Sequence, residues 1–111
     1  MKLVYKIWIE GDNKAFGEGP YKLLKKVDQL GSIHKAAQDM NMSYSKAWSI
    51  IKRAERELGI ILVESNIGGA GGGGSCLTSQ ARILLNQYNE FCHEAEEILT
   101  ELYNKYFSEL L

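Results

Sequence analysis

Several features of common protein classes are scarce or missing in this sequence. It contains one proline and two cysteines, and no apolar run approaches the roughly 18 residues of a membrane span. Charge at Lys2 and Lys6 interrupts the N-terminus too early for a secretory signal peptide. Cys76 and Cys92 are too few for a disulfide framework. We therefore expect a protein of the reducing cytoplasm with no membrane contact.

The length and composition fit one globular domain. The chain has 111 residues, of which 45% are hydrophobic and 24% are charged, as in ordinary folded proteins. Such a chain can build a core, but it has no room for a separate ligand-binding domain.

The net charge of −1 conceals an uneven distribution. Residues 1–65 contain 11 Lys and Arg against 8 Asp and Glu, whereas residues 66–111 contain 2 against 6. Because DNA binding depends on the local field at the contact surface rather than on the total charge, this basic half permits DNA binding without proving it.

Periodicity predicts a strand and then a helix in the first 31 residues. Residues 2–10 alternate between apolar and polar positions over most of their length, which indicates a strand, and 11–13 indicate a turn. Behind Pro20, apolar residues recur at helical spacing as far as Leu30. Gly31 then ends the helix.

The next segment predicts a helix-turn-helix. Ser32 and Ser43 are suitable N-caps for two further helices, the second of which ends near Leu58 because Gly59 follows. Alanines at 36 and 37 allow the helices to approach closely, and the short turn between them is typical of the motif.

A glycine-rich loop then lies between two short apolar segments. Residues 60–63 and 76–77 predict two strands, and glycine occupies six of the ten positions from 66 to 75. The loop lacks the lysine of a phosphate-binding P-loop, and no helix opens directly behind it as in a dinucleotide site. Strand, loop and strand after a third helix predict a wing. Its backbone would approach DNA most closely at Gly71, Gly72 and Gly73.

From Thr78 onward the sequence contains neither glycine nor proline. A helix capped by Thr78 and reaching nearly to Leu111 would be roughly 33 residues and 50 Å long. Its broad apolar seam predicts pairing with the same helix of a second copy; the alternative, an intramolecular helical hairpin, has no turn residue. The seam residues are Leu84, Tyr88, Phe91, Ala95, Ile98, Leu99, Leu102 and Tyr106.

The third helix is the candidate reading helix, because an α-helix fits the major groove of DNA. Ser45, Ser49 and Lys52 share one face, flanked by Tyr44, Lys46 and Arg53. At the start of the second helix, Ser32, His34 and Lys35 are candidate phosphate contacts. An ordinary solvated face would have the same composition, so the adjacent turn and wing strengthen this interpretation.

Other residues are assigned to the core or to no function. Trp48 is predicted to pack beneath the wing rather than to stack on bases. Cys92 is predicted to lie in the core, since no second pair of metal ligands has suitable spacing. No arrangement of nucleophile and base, and no carboxylate pair in an apolar pocket, is visible. We therefore expect neither an enzyme nor a cofactor.

Several segments together resemble one family of bacterial regulators. They are residues 31–37 (GSIHKAA), 42–48 (MSYSKAW), 62–65 (LVES), 68–74 (GGAGGGG) and 77–78 (LT). The pattern resembles the N-terminal DNA-binding domain of the ModE-type molybdate-responsive regulators over nearly the whole chain. The sequence Glu57-Leu58-Gly59 adds a more distant resemblance to LysR-type DNA-binding domains.

The resemblance implies a dimeric winged helix-turn-helix that binds a palindromic operator with its third helix and its wing. By position, it implies helix contacts from Ser43, Tyr44, Ser45, Lys46, Ser49 and Lys52. Two departures limit it. Ala70 stands where a basic residue is common in the family, and the chain ends where the family's oxyanion-binding modules begin.

We thus expect a mainly α-helical chain with a small β wing. Residues 1–77 would form the winged helix-turn-helix, and 78–111 a long dimerisation helix of the same structural unit. The expected function is sequence-specific binding of double-stranded DNA by a homodimer that regulates molybdate, metal-oxyanion or related genes. The alternative is a protein-interaction module that recruits a separate sensor protein through its C-terminal helix.

Overall fold

The structure, a computed structural model, describes residues 1–66 and 74–111. Along these residues two antiparallel hairpins alternate with helical segments. The elements are β1 (Ile9–Glu10), β2 (Lys14–Phe16), α1 (Glu18–Leu30), α2 (Ile33–Asp39), α3 (Tyr44–Leu58), β3 (Val63–Asn66), β4 (Gly74–Leu77) and α4 (Ser79–Phe107). This order is a winged helix-turn-helix followed by a long helix, which confirms the predicted fold class.

The N-terminal strand is much shorter than predicted. Only Ile9–Glu10 is a strand, and it pairs with β2 through Ile9 opposite Phe16. A longer strand would need a longer partner, but β2 ends at Phe16 because α1 begins at Glu18. The preceding residues 1–8 have no regular structure.

The core lies where α1, α2 and α3 meet. Ala36 and Ala37 are buried at the contact of α2 with its neighbours, as the helix-turn-helix prediction required. Leu30, in the last turn of α1, is 40% exposed instead of continuing the buried stripe. The largest fully buried side chains are Phe16, Leu23, Leu24, Val27, Ile51 and Leu62.

Hydrogen bonds attach the base of the wing to the helices. The backbone N–H of Ser75 on β4 donates to Gly31 O at 2.9 Å. Thr78 donates from its backbone N–H to Leu62 O at 3.0 Å and from its hydroxyl to Ile61 O at 2.7 Å. The same hydroxyl accepts from Ala81 N at 3.1 Å and caps α4 as predicted. Thr78 therefore ties both strands of the wing to the start of the long helix. The first wing strand begins at Val63, three residues later than the predicted start at Ile60.

Glycine ends both α1 and α3 in the left-handed conformation. Gly31 has φ 70° and Gly59 has φ 72°, a region that an L side chain enters at a cost of about 1–2 kcal/mol. An added Cβ at Gly59 would have no heavy atom within 4 Å, so the cost there comes from the backbone alone.

Gly59→Ala is therefore expected to lower the free energy of unfolding by about 1 kcal/mol, measured by urea denaturation. Gly19→Ala is the matched control, since an added Cβ at Gly19 also meets nothing within 4 Å and its backbone φ is not positive. That control should leave stability unchanged or raise it slightly, because alanine favours helix. Equal losses in the two variants would contradict the backbone explanation.

Candidate nucleic-acid interface

The predicted reading motif is built from α2, a short turn and α3. The hydroxyl of Ser32 accepts from Lys35 N at 3.2 Å, and that of Ser43 accepts from Lys46 N at 3.1 Å. Both residues are therefore N-caps, as predicted. In the turn, Asn41 adopts a positive φ of 56°, which asparagine tolerates better than most residues.

An aromatic contact brings the first turns of the two helices together. The rings of His34 on α2 and Tyr44 on α3 stack with centroids 4.6 Å apart and an interplanar angle of 18°. Both side chains remain exposed. The two helix N-termini, with their partial positive charge and free N–H groups, therefore lie side by side at one surface of the domain.

The outer face of α3 is open to solvent along the predicted reading residues. Ser45, Ser49 and Arg53 are exposed, and Lys52 is half-buried. Tyr44 is 43% exposed. The remaining candidates, Ser32, His34, Lys35, Ser43 and Lys46, are exposed or half-buried. None of these side chains is enclosed by the described residues, so the face is accessible to a large ligand.

Lys52 is oriented by two neighbours on its own helix. Its Nζ lies 3.1 Å from Glu55 Oε1 and 5.6 Å from the centroid of the Trp48 ring. The first contact is an ion pair and the second a cation–π contact. Lys52 therefore presents a partly compensated charge at the surface.

Glu55 is a buried carboxylate that the sequence reasoning missed. Its side chain is only 7% exposed, and its Oε2 accepts from Leu62 N at 2.8 Å and Val63 N at 3.2 Å. Burial alone would raise the pKa of this carboxyl, but its bonds to Leu62 N–H, Lys52 and Val63 N–H outweigh burial and lower it. Glu55 thus joins the reading helix to the first strand of the wing.

A signal for Glu55 was present in the sequence. Position 55 follows Ile51 and Ala54 at the spacing of the buried stripe. A carboxylate at such a position needs hydrogen-bond donors, which the following strand supplies. The predicted DNA contacts at the tip of the wing, Gly71, Gly72 and Gly73, lie outside the described residues.

Trp48 is partly exposed rather than buried in the core, while residues 67–73 of the wing, beneath which it was predicted to pack, lie outside the described residues. Its side chain is 46% exposed, on the same side of α3 as Tyr44 and Lys52 at i, i+4 and i+8. The reason is helical geometry: Ala47 and Ile51 face the core, which turns Trp48 toward the edge of the open face.

Tyr88 is a core residue and not part of an intermolecular seam, which corrects the prediction. It is 7% exposed, and its ring meets that of Phe16 edge-on at 5.1 Å between centroids. Its hydroxyl donates to Ile7 O at 3.0 Å. Burial, with a smaller effect from Cys92, raises the pKa of Tyr88 to about 12. The residue is needed at this place because α4 otherwise has few buried side chains to hold it to α1 and β2.

The rest of the predicted seam divides into two groups. Leu84 is half-buried against the core, as is Cys92, which was predicted to lie there. Beyond Tyr88, every described residue is exposed or half-buried. The seam residues in this distal part are Phe91 at 61%, Ile98 at 59%, Leu102 at 45% and Tyr106 at 65% exposure, with half-buried Ala95 and Leu99. The described chain thus leaves an apolar stripe on α4 uncovered.

No group of three or more His, Cys, Asp and Glu side chains in residues 1–66 and 74–111 could hold a metal ion. Within the same ranges, no helix combines the length and the apolarity that crossing a membrane requires.

The sequence is similar to those of known bacterial regulators. Residues 21–82 match the family model of the bacterial regulatory helix-turn-helix protein, lysR family. The transcriptional regulator ModE of Haemophilus influenzae is 40% identical over 68 residues, which are 61% of this chain and 27% of that protein. The molybdenum transport protein ModE of Herbaspirillum seropedicae is 34% identical over 109 residues, 92% of this chain and 37% of that protein. The chain therefore spans between about a quarter and two fifths of the length of these curated relatives.

Solved structures show the same fold. The crystal structure of a CbnR_DBD–DNA complex superposes with a TM-score of 0.59 and 18% identity over 78% of this chain and 94% of that one. The crystal structure of ArgP from Mycobacterium tuberculosis gives a TM-score of 0.54 and 24% identity over 77% of this chain and 30% of that one. At these identities the likeness concerns the fold alone.

Proposed function

Because this chain belongs to the lysR family of bacterial regulatory helix-turn-helix proteins and is a regulator's DNA-binding domain, we propose that it binds an operator as a homodimer. The observation that carries the proposal is the open polar face of α3, with the N-termini of α2 and α3 side by side. The face is long enough to follow the major groove, where donors and acceptors distinguish all base pairs.

The proposed contacts fall into two classes. The first turns of α3 lie deepest in the groove, so their side chains would meet base edges, while Lys52 and Arg53 farther along would neutralise phosphates. The α2 residues and the wing glycines would position the duplex through its backbone. The proposed base-reading residues are Ser43, Tyr44, Ser45, Lys46 and Ser49; the proposed backbone contacts are Ser32, His34, Lys35, Lys52, Arg53, Gly71, Gly72 and Gly73.

The proposed dimer forms through α4. Residues 1–77 would be the DNA-binding part and 78–111 the dimerisation helix of one unit. Two-fold pairing along the uncovered stripe would present two α3 helices to a palindromic operator. Support comes from the exposed apolar side chains of Phe91, Ile98 and Leu102. An apolar stripe in contact with water costs free energy, and a partner helix that covers the stripe would remove that cost.

The regulated genes are proposed from the relatives. The relatives named ModE are 31–40% identical to this chain over their matched residues, and two of them are named as molybdenum transport proteins. We therefore propose genes of molybdate, metal-oxyanion or related cofactor metabolism, regulated in the cytoplasm where the chromosome lies. The proposal includes no catalytic step.

A fluorescence-anisotropy titration tests the DNA-binding proposal. A duplex selected by the chain from a random pool is compared with a scrambled duplex of the same composition at several salt concentrations. Specific binding should be tighter by about 1,000-fold or more and should weaken steeply with salt, because phosphate contacts release counterions. Selection of no preferred sequence, or equal binding of the two duplexes at all salt concentrations, would overturn the proposal.

Lys52→Ala is expected to weaken binding of every duplex by about 3- to 10-fold and to reduce the salt slope by about one phosphate contact. The loss is moderate because Glu55 already compensates part of the charge of Lys52. Lys22→Ala is the control and should bind normally, because Lys22 is an exposed lysine of α1 that is likewise paired with a carboxylate, Glu18 at 2.8 Å. If the two variants bind equally well, Lys52 does not lie at the interface.

A further inference from the structure

We infer that Trp48 is a specificity-determining residue, whose indole ring contacts the 5-methyl group of a thymine in the major groove. The inference rests on the proposed function, because it assigns a base contact to a residue of the same face. The packing of the described residues leaves 46% of this side chain exposed, although tryptophan has a large apolar surface.

The surroundings of Trp48 determine how far its ring projects. The residues one turn before it and immediately after it on the open face are Ser45 and Ser49, whose side chains are much shorter than the indole. Along its own ridge it lies between Tyr44 and Lys52 at spacings of four residues. The Lys52 ammonium lies over the ring, 5.6 Å from its centroid, so a positive charge accompanies the indole at this surface.

The chemistry of the groove identifies the partner of such a ring. The major-groove edges of guanine, adenine and cytosine display hydrogen-bond donors and acceptors, and thymine alone adds an apolar methyl group. The indole ring carries one N–H at its edge and is otherwise apolar carbon. It therefore gains the most binding free energy by covering that methyl group. The preferred operator should therefore contain an A·T pair at a fixed position in each half-site, opposite the middle of α3.

Deoxyuridine substitution tests this contact, because it removes only the methyl group. In the selected duplex, each thymine of a half-site is replaced in turn by deoxyuridine. For the wild-type chain one replacement should weaken binding by about fourfold per half-site, which corresponds to about 0.8 kcal/mol for one buried carbon. In Trp48→Ala the same replacement should change affinity by less than about 1.5-fold, since the covering ring is gone.

Trp8→Phe is the matched control. Trp8 lies in the N-terminal segment against Gly17, so this variant should retain the full sensitivity to deoxyuridine. A wild-type chain that tolerates deoxyuridine at every position would overturn the inference, as would a Trp48→Ala variant that keeps the sensitivity. In both cases specific binding would persist, so the proposed function would survive. A chain that prefers no duplex would remove the proposed function and this inference together.

Fluorescence gives a second measurement. Trp8→Phe leaves Trp48 as the only indole, and Trp48→Phe leaves Trp8. The selected duplex should quench or shift the emission of the first variant and leave that of the second unchanged. Unchanged emission from Trp48 in the bound complex would overturn the inference.

Discussion

Replacement of Glu55 by alanine is expected to lower the free energy of unfolding by about 3 kcal/mol. The carboxylate accepts from two backbone N–H groups at the start of the wing and pairs with Lys52. Its removal would leave the buried N–H of Leu62 without its acceptor, and the lost acceptor would also release the wing base from α3. Urea denaturation followed by circular dichroism measures the loss.

The conservative variant separates charge from shape. Glu55→Gln keeps one oxygen for the N–H groups and should lose about 1–2 kcal/mol. Because the pKa of Glu55 is lowered in the folded chain, its charge stabilises the fold above the unfolded-state pKa and stops doing so as the pH falls through the folded-state value. The difference between wild type and Glu55→Gln should therefore stay constant at neutral pH and shrink as the pH falls below the unfolded-state pKa of about 4.3.

Glu64→Gln is the control for Glu55, because Glu64 is an exposed carboxylate on the neighbouring strand. Its stability should equal that of the wild type across the same pH range. A Glu55→Gln variant as stable as Glu64→Gln at neutral pH would show that the buried carboxylate does not hold the wing.

Ile98→Glu is expected to raise the dimer dissociation constant by roughly 100-fold or more, because each copy would bury a carboxylate in an apolar seam. Ile98 is 59% exposed in the described chain, so the fold of each copy should survive. Sedimentation equilibrium measures the dimer, and specific DNA affinity should fall with it because the two half-sites are bound together.

Ile83→Glu makes the same change at the same 59% exposure on the same helix. Ile83 lies outside the proposed seam, so this variant should remain dimeric. Equal dissociation of both variants would contradict the placement of the seam. A wild-type chain that is monomeric at high concentration, yet captures a partner protein through α4, would favour the interaction-module alternative.

The caps and helix ends could be predicted because they depend on neighbouring residues. Ser32, Ser43 and Thr78 cap helices, and Gly31 and Gly59 end them. Each of these functions requires only a side-chain oxygen or a positive φ within one turn of the chain. For the same reason the helix-turn-helix and the wing strands could be located to within a few residues.

The errors concern residues whose place depends on distant partners. The spacing of Tyr88 on α4 fits an intermolecular heptad seam as well as it fits the core. Its contact with Ile7, 81 residues away, places it in the core. The alternating residues 2–10 suited a long strand, but β2 is too short to pair with it. Glu55 was assigned no role, because the two N–H donors that bind it belong to the wing, seven and eight residues farther along the chain. Periodicity predicts which face of a helix is apolar, but not what covers it.

The most direct test of the central claim is a map of amide resonances on addition of the selected duplex. If the open face of α3 reads DNA, the largest shifts in wild type should lie in residues 32–35 and 43–53, and they should be absent with a scrambled duplex at moderate salt. Shifts confined to residues 89–107 of α4, with α3 unperturbed by a specifically bound duplex, would contradict it.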